Sequence, residues 1–426
     1  MSDNSRTAAI VRDDDGGVAA CGPLKGIRVL ELGGVFTSYC GKLFSDLGAE
    51  VVLIEPPTGS AQRHEPPFVD NIPGVENSLT YTYYNCGKKS VTLDIECCQG
   101  QDLFRQLTAD ADLLIESTQP GFLAARGVDY DRLAAINPGL VFTGITAFGQ
   151  EGPYAHFAYS DLTLLALGGL LYLGGYPDSA PIRVYGNQAL NATSMFAAVV
   201  SISAVYAAIM GSKGQFIDVS AQQCVALALE SSAQILDLEG TVRKRYAGQQ
   251  RQAGTGVFAT LDGFVCVMAS GISSPRFWSN TIKWLLDERV AGADALQQPE
   301  WAEIDYLGSE DAKRRFGEIF VPFAASRTSE YLYQGGQRHR LPICPVCSPS
   351  QVLKNRQLLA RDYFVNVQHG ESGRVLTMPG APYKLHQSPW RLQGGAPRLG
   401  QHNIEILGRL GVTADEVQAL AGAGTI

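Results

Sequence analysis

Short apolar runs alternate with helical stretches at the start of the chain. Residues 27–32 form an apolar run that stops at Gly33-Gly34, a helical pattern covers about 39–47, and 50–55 is a second apolar run. Parallel strands need a crossover between them, and a helix between two such runs provides it. The pattern therefore predicts a β-α-β unit.

The same alternation continues further along the chain, with helical patterns at 103–107 and 130–135 and strands at 112–116 and 140–145. This order predicts a doubly wound α/β domain. A long apolar helix is expected at about 193–210, a strand at 215–220, and a hairpin over 256–269 that turns at Asp262-Gly263. A last helical pattern covers 415–420.

These elements predict two domains. A polar tail (1–22) precedes a large domain (23–222) that is completed by about 380–426, and a smaller domain covers 247–345. The segments 223–246 and 346–379 are predicted linkers.

Composition narrows the class of protein. The chain has 426 residues, 45% of them hydrophobic, and a formal net charge of −8. A general attraction to nucleic acid or anionic lipid is not expected at this charge. Collagen-like and disordered chains also fit poorly. A soluble enzyme or enzyme subunit with a large subunit interface is the expectation.

One stretch resembles a membrane span, because residues 184–212 carry no charge. Asn187, Asn191 and Ser201 within it would need hydrogen-bond partners in lipid. We therefore predict a buried or interface helix here and no membrane association. The nine cysteines have no framework spacing and follow no cleavable leader, which indicates the reducing cytoplasm.

Several known kinds of site are disfavoured by spacing. Phe36 and Thr37 stand where a dinucleotide-binding turn needs its third glycine, although Glu55 ends the second strand as such a site requires. Cys344 and Cys347 form a C-x-x-C pair without a second pair, in what is predicted to be an irregular turn. The six histidines lack ligand spacing, and no G-x-S-x-G motif is present. No metal site is predicted.

The order of motifs resembles the class III CoA-transferases, the family of formyl-CoA transferase, carnitine CoA-transferase and α-methylacyl-CoA racemase. The resemblance covers nearly the whole chain and rests on Gly22-Pro23-Leu24-Lys25-Gly26, Asp46-Leu47-Gly48-Ala49-Glu50, Asn85-Cys86-Gly87-Lys88-Lys89, Gly149-Gln150-Glu151-Gly152-Pro153, Gly214-Gln215-Phe216-Ile217-Asp218 and Pro397-Arg398-Leu399-Gly400-Gln401. It implies a Rossmann-like large domain built from both chain ends, a smaller α+β domain and an interlocked dimer.

The resemblance also implies a reaction centre that this chain lacks. In the family an Asp just before the long apolar helix attacks the acyl-CoA thioester, and a gap-free count places Leu190 at that position. No carboxylate occurs between Asp178 and Asp218. Asn187, Asn191 or Thr193 is expected to cap the helix. The racemase branch uses a His-Asp pair, and here Ser160 replaces the His beside Asp161.

The implied CoA-binding positions look altered as well. They are Val35, Phe36, Leu93, Ser117, Thr118 and Arg126. Phe36 replaces a glutamine of formyl-CoA transferase, while Pro56, Glu96, Ala125 and Ala158 stand where that enzyme is basic. Glu96 would repel nucleotide phosphates. Arg126, Lys88 and Lys89 either compensate for this or are solvated surface charges.

Three functions remain open on the sequence. The first is a non-catalytic subunit that pairs with a related catalytic chain, in a heteromer moving CoA from succinyl-CoA to a carboxylic acid such as benzylsuccinate. The second is an autonomous CoA-dependent transferase or isomerase that uses Asp161, although Ser160-Asp161 also has the pattern of a helix N-cap. The third is an acyl-CoA-binding protein without a reaction. Coenzyme A thioester is expected only as a substrate of the complex, with no permanently bound cofactor.

Overall fold

The computed structural model describes residues 22–270, 275–370 and 373–426. The predicted tail therefore lies outside the described residues except for Gly22, and Cys21 lies outside them as well. Within these ranges the chain divides into two compact units. The larger comprises the described residues within 22–169, 185–230 and 360–426, and the smaller comprises those within 170–184 and 231–359.

The first part of the larger unit alternates strands and helices, as the pattern predicts. In chain order it contains β1 (Arg28–Leu32), α1 (Thr37–Asp46), β2 (Glu50–Glu55), α2 (Leu79–Asn85), β3 (Lys89–Thr92), α3 (Cys98–Ala109), β4 (Leu113–Glu116), α4 (Phe122–Ala125), α5 (Tyr130–Ile136), β5 (Val141–Thr146), α6 (Asp161–Leu167), α7 (Gln188–Ile209), β6 (Phe216–Ser220) and α8 (Ala221–Ala226).

These strands form one six-stranded sheet in the order β3-β2-β1-β4-β5-β6. Every neighbouring pair is parallel. The strand order reverses between β1 and β4, so the crevice at the carboxyl ends of these strands is where open α/β sheets bind ligands. The prediction of a doubly wound α/β fold is confirmed.

The smaller unit is a mixed α+β structure. It contains α9 (Ser232–Glu239), β7 (Thr255–Ala259), β8 (Phe264–Met268), α10 (Pro275–Asp287), α11 (Ile304–Gly308), α12 (Glu310–Ala325), α13 (Ser329–Arg338), β9 (Ile343–Pro345) and α14 (Pro349–Val352), with α15 (Arg356–Ala360) at its end. β7, β8 and β9 form an antiparallel sheet. Its core is unusually aromatic, with Trp284, Trp301, Phe316 and Phe320 buried together.

The chain then returns to the larger unit through β10 (Phe364–His369), β11 (Arg374–Pro379), α16 (Asn403–Gly408) and α17 (Ala414–Gly422). Ile406, Leu407 and Leu420 pack in the same core as Ile54 and Leu114 of the parallel sheet. The larger unit is thus built from both ends of the chain. The segment 346–379, predicted to be a linker, contains the hairpin β10–β11.

Helix α7 is the one helix in the described part of the chain that is long and apolar enough to cross a membrane. One of its small polar side chains faces the parallel sheet. Ser201 is buried and shares a hydrogen bond of 2.7 Å with Thr143 of β5. The predicted need of Ser201 for a partner is therefore met inside the unit.

Candidate functional site

The turn after β1 meets the first turns of α6 and α7 inside the larger unit. The Phe36 ring is fully buried and stacks on Tyr159, with 5.3 Å between ring centroids. The Ser194 hydroxyl of α7 donates to the Phe36 carbonyl at 2.7 Å. These contacts fix the Phe36 ring beside the start of α7.

Asp161 connects α6 to α7. It is the first residue of α6, and its Oδ1 accepts the backbone N–H groups of Ala189 (2.8 Å) and Leu190 (3.1 Å). Such N–H groups in a first helical turn have no partner within the helix. The Asp161 side chain is buried, and its Oδ2 has no hydrogen-bond partner among the described residues. Asp161 therefore acts as the carboxylate cap of α7, where the helix dipole also favours a negative charge.

The predicted capping residues of α7 were wrong. Asn187 occupies the cap position but its side chain makes no capping hydrogen bond. Asn191 Oδ1 instead accepts from the Tyr84 hydroxyl at 2.8 Å, and the Thr193 hydroxyl donates to the Ala189 carbonyl. The cap comes from a different helix, which local sequence cannot reveal. Ser160, by contrast, is the N-cap of α6, as predicted, in a capping box with Thr163.

Leu190 lies in the first turn of α7 and is half-buried. Its backbone N–H is held by Asp161, and its neighbour Asn191 is held by Tyr84. A branched hydrocarbon has no atom that can attack a thioester or leave from an anhydride. The first turn of α7 is thus held in place by hydrogen bonds, but the side chain of residue 190 cannot act as a nucleophile.

The implied CoA-binding residues gather around the carboxyl ends of β1, β3 and β4. Phe36 and Leu93 are buried, whereas Val35, Ser117, Thr118 and Arg126 are half-buried. A Cβ atom placed on Gly34 would lie 2.1 Å from Ser117 Oγ, so the Ser117 hydroxyl covers the turn that follows β1. Whether these six residues contact CoA stays a prediction.

Arg126 is the basic residue among the six implied CoA-binding positions, and its guanidinium is already paired with a carboxylate of the same chain. Its Nε and Nη2 contact both carboxylate oxygens of Glu96 at 2.6–3.0 Å, and the guanidinium lies 3.5 Å from the Phe122 ring centroid. Pro56, Ala125 and Ala158 are exposed and uncharged. These positions, all in the described part of the chain, therefore carry no unpaired cation.

The interpretation of Lys88 as a solvated surface charge was wrong. Lys88 is buried, and its Nζ contacts Glu31 Oε2 at 2.6 Å, the Ser38 carbonyl at 2.8 Å and Asn85 Oδ1 at 2.8 Å. Burial lowers the pKa of Lys88, and the charge of Glu31 opposes this shift. Lys89 is partly exposed and pairs with Glu50 and Glu405.

Glu55, which could suggest a ribose contact, is also engaged within the chain. Arg63 donates to both of its carboxylate oxygens at 2.8 Å, and the Ser90 hydroxyl donates at 2.8 Å. Both Glu55 and Arg63 are fully buried. The acid that ends β2 is thus part of a structural network.

Glu116 is a further candidate residue, which the sequence indicates only as the end of a strand. Its carboxyl lines a cleft of about 350 Å³ together with Phe142, Gln150 and Phe216. Burial raises the pKa of Glu116 to about 7, although hydrogen bonds from Thr118 oppose this shift. The sequence feature that points to Glu116 is a hydrophobic strand, β4, that ends in an acidic residue.

The C-x-x-C pair is not confined to an irregular turn, because Cys344 belongs to β9. Cys347 follows two residues after the strand. Within the described ranges, no group of three or more His, Cys, Asp or Glu side chains is placed to hold a metal ion.

Comparison with known proteins extends these observations to the whole chain. The family model described as CoA-transferase family III matches residues 24–403. The chain is 37% identical to the succinyl-CoA:(R)-benzylsuccinate CoA-transferase subunit BbsE of Thauera aromatica over 94% of this chain and 97% of that protein. It is 27% identical to the succinyl-CoA–D-citramalate CoA-transferase of Chloroflexus aurantiacus over 93% and 96%.

A solved structure shows the same fold. The crystal structure of a CAIB/BAIF family protein from Brucella suis aligns with a TM-score of 0.79 at 25% identity, covering 92% of this chain and 100% of that one. The family expected from the motifs is confirmed by these matches. The chain belongs to CoA-transferase family III.

Proposed function

We propose that this chain is the non-catalytic subunit of a heteromeric class III CoA-transferase. The complex would move CoA from succinyl-CoA to a carboxylic acid such as benzylsuccinate. The observation that carries the proposal is the hydrocarbon side chain of Leu190 at the start of α7, where the family resemblance places the reacting carboxylate. The 37% identity to a protein named as a subunit of such an enzyme supports the substrate pair.

The surface of α7 supports the presence of a partner. Met195, Phe196, Val199, Tyr206 and Ile209 are each more than 40% exposed on this uncharged helix. Met195 and Val199 also line an apolar groove of about 510 Å³ with Tyr39, Leu43 and Tyr383. Exposed apolar surface of this extent is typical of a protein interface. We infer that a related catalytic chain covers it in an interlocked heteromer.

Relatives with divided subunits make this arrangement plausible for the family. The succinyl-CoA–L-malate CoA-transferase of Chloroflexus aurantiacus has an alpha subunit that is 28% identical to this chain and a beta subunit that is 25% identical. A subunit without its own nucleophile can still complete the fold of its partner and shape the acceptor pocket.

The deciding experiment compares the chain alone with the chain co-purified with a related family member that carries the Asp. Both are assayed for CoA transfer from succinyl-CoA to benzylsuccinate. We expect activity only in the complex, and loss of activity when the partner's Asp aligned with Leu190 becomes Asn. Transfer by this chain alone would refute the proposal.

Asp161 provides the matched test of the autonomous alternative. In Asp161→Asn the amide oxygen can still accept the N–H groups of Ala189 and Leu190, but the anionic nucleophile is gone. We expect the complex to keep its rate, because Asp161 is a cap. Asp161→Ala removes the cap and should lower the free energy of unfolding by about 1–2 kcal/mol, measured by urea denaturation. A complex inactivated by Asp161→Asn while remaining folded would favour the autonomous mechanism.

The third candidate, an acyl-CoA-binding protein, is tested by calorimetric titration of the isolated chain with succinyl-CoA. The pairing of Arg126 with Glu96 predicts weak binding or none. Tight binding without turnover, by the chain alone, would favour this candidate over the subunit.

A further inference from the structure

Two exposed cysteines lie opposite each other on one face of the small antiparallel sheet, and Cys347 lies near them beyond the end of β9. The register of β8 and β9 places Cys266 directly opposite Cys344. Exposure alternates along β8, so Cys266 shares its face with Phe264 and Met268, which are exposed as Cys344 is. Cys266 therefore joins the C-x-x-C motif in space, although it is distant from it in sequence.

The backbone hydrogen bonds define how the two cysteines face each other. The Met268 N–H donates to the Pro342 carbonyl at 3.0 Å, and the Val346 N–H donates to the Phe264 carbonyl at 2.9 Å. Along an antiparallel ladder, residue pairs that exchange backbone hydrogen bonds alternate with pairs that do not. Phe264–Val346 and Met268–Pro342 are hydrogen-bonded pairs, so Cys266–Cys344, midway between them, is one as well. The Cα atoms of such a pair are about 5.5 Å apart. This Cα spacing lies inside the range of roughly 4.4–6.8 Å that disulfides span. The Cβ atoms of a hydrogen-bonded pair are up to about 5.5 Å apart, so the two strands must approach each other by about 1 Å for the bond to close.

The thiols are also electrostatic neighbours. Partial burial raises the pKa of Cys344, and the charges of Cys266 and Cys347 raise it further. Cys347 is less well placed for bonding to Cys344, because it lies beyond the end of β9 and its Sγ points to the Pro345 carbonyl at 3.8 Å. The strands, in contrast, hold Cys266 and Cys344 in fixed register.

We propose that Cys266 and Cys344 are a redox modification site that closes to a reversible disulfide in the presence of a peroxide. One thiolate attacks hydrogen peroxide, which forms a sulfenic acid and releases hydroxide. The second thiol then attacks the sulfenic sulfur, so that the S–S bond forms and water leaves. Two thiols are oxidised and one peroxide is reduced to two waters.

The disulfide would tie β9, one of the two edge strands of this sheet, to the central strand β8. Opening of β9 toward solvent should then become rarer, because its separation from β8 would require the covalent link to break. The site does not depend on the proposed transferase role.

The test treats the reduced full-length chain with hydrogen peroxide and maps its peptides under non-reducing conditions by mass spectrometry. We expect a linked peptide pair containing Cys266 and Cys344, two hydrogens lighter than the sum of the free peptides and released by dithiothreitol. Cys98, exposed at the start of α3 and adjacent in sequence to Cys97, is the internal reference for the oxidation rate of an exposed thiol outside the sheet.

Two variants separate the possible pairings. Cys347→Ser should retain the link, whereas Cys266→Ser should abolish it, and both side chains are exposed enough for the fold to tolerate serine. A predominant Cys344–Cys347 bridge would overturn the proposal. So would free Cys266 and Cys344 thiols that oxidise no faster than Cys98.

Discussion

At the scale of single residues, Glu116 carries the clearest pH dependence in the larger unit. The side chain is only 4% exposed, and no basic group among the described residues is paired with it. Its Oε2 accepts the N–H and hydroxyl of Thr118. A buried carboxyl without a cationic partner retains its proton to higher pH than a solvated one.

This burial predicts a loss of stability as the pH rises. The pKa of Glu116 is about 7 in the folded chain against an ordinary value of 4.5, so the folded state binds the proton more tightly. At 1.36 kcal/mol for each pKa unit, the free energy of unfolding should fall by about 3 kcal/mol as the pH rises from about 4.5 through 7. Glu116→Gln should remove this fall, as measured by urea denaturation between pH 5 and pH 8.

Glu310→Gln is the control, since the Glu310 side chain is 91% exposed. That variant should keep the pH dependence of the unmodified chain. Identical pH profiles for Glu116→Gln and the unmodified chain would show that Glu116 is solvated in solution.

The sequence predicts which residues lie at a helix start more readily than it predicts which side chains pair with each other. The uncharged start of α7 and the N-cap Ser160 could be identified from the sequence. The engagement of Arg126 by Glu96, of Lys88 by Glu31 and of α7 by Asp161 could not. Each partner is distant in sequence, and a charge has the same local pattern whether it is solvated or paired.

At the scale of elements, hydrophobic runs predicted the central strands but not the marginal ones. β2 was predicted with its observed bounds because five of its six residues are buried. β3 was missed as a strand, since its sequence Lys-Ser-Val-Thr contains one apolar residue. The hairpin β10–β11 was assigned to a linker because most of its residues are exposed or half-buried. Pairing with a neighbouring strand, which local composition does not encode, decides these elements.

Helix α1 shows packing overriding helix propensity. Alanine is normally more stable than glycine inside a helix by about 0.5–1 kcal/mol. A Cβ atom on Gly41, however, would lie 1.8 Å from Glu31 Oε2 and 3.1 Å from Lys88 Nζ, inside a buried ion pair. Gly41→Ala should therefore lower the opening free energy of α1 by about 1–3 kcal/mol, measured by amide hydrogen exchange.

Gly317 in α12 is the matched control. The nearest atom to a Cβ placed there is Gln250 Nε2 at 3.6 Å, an ordinary contact. Gly317→Ala should slow hydrogen exchange in α12, because only the propensity term remains. Equal protection of α1 in Gly41→Ala and the unmodified chain would mean that α1 does not pack tightly on the Glu31–Lys88 pair.

At the scale of the whole molecule, the parallel sheet and helix α7 have different roles in the proposed heteromer. The strands of the parallel sheet come from residues 28–220, and the last helices of the chain pack into its core. Helix α7 contacts that sheet on one side, and its other side is uncharged, apolar and exposed. A soluble chain that displays such a surface tends to associate. In the proposed heteromer, the partner surface and Leu190 therefore belong to the same helix.

A charge on the open side of α7 should block assembly without unfolding the chain. Val199 is 62% exposed, so in Val199→Glu the carboxylate remains solvated in the free chain but would be buried against a partner. We expect this variant to lose co-purification with the catalytic chain, and the complex to lose transferase activity, with an unchanged circular dichroism spectrum. Val375→Glu on β11, where the side chain is 59% exposed, should leave the complex intact. Normal co-purification of Val199→Glu would place the partner on another surface.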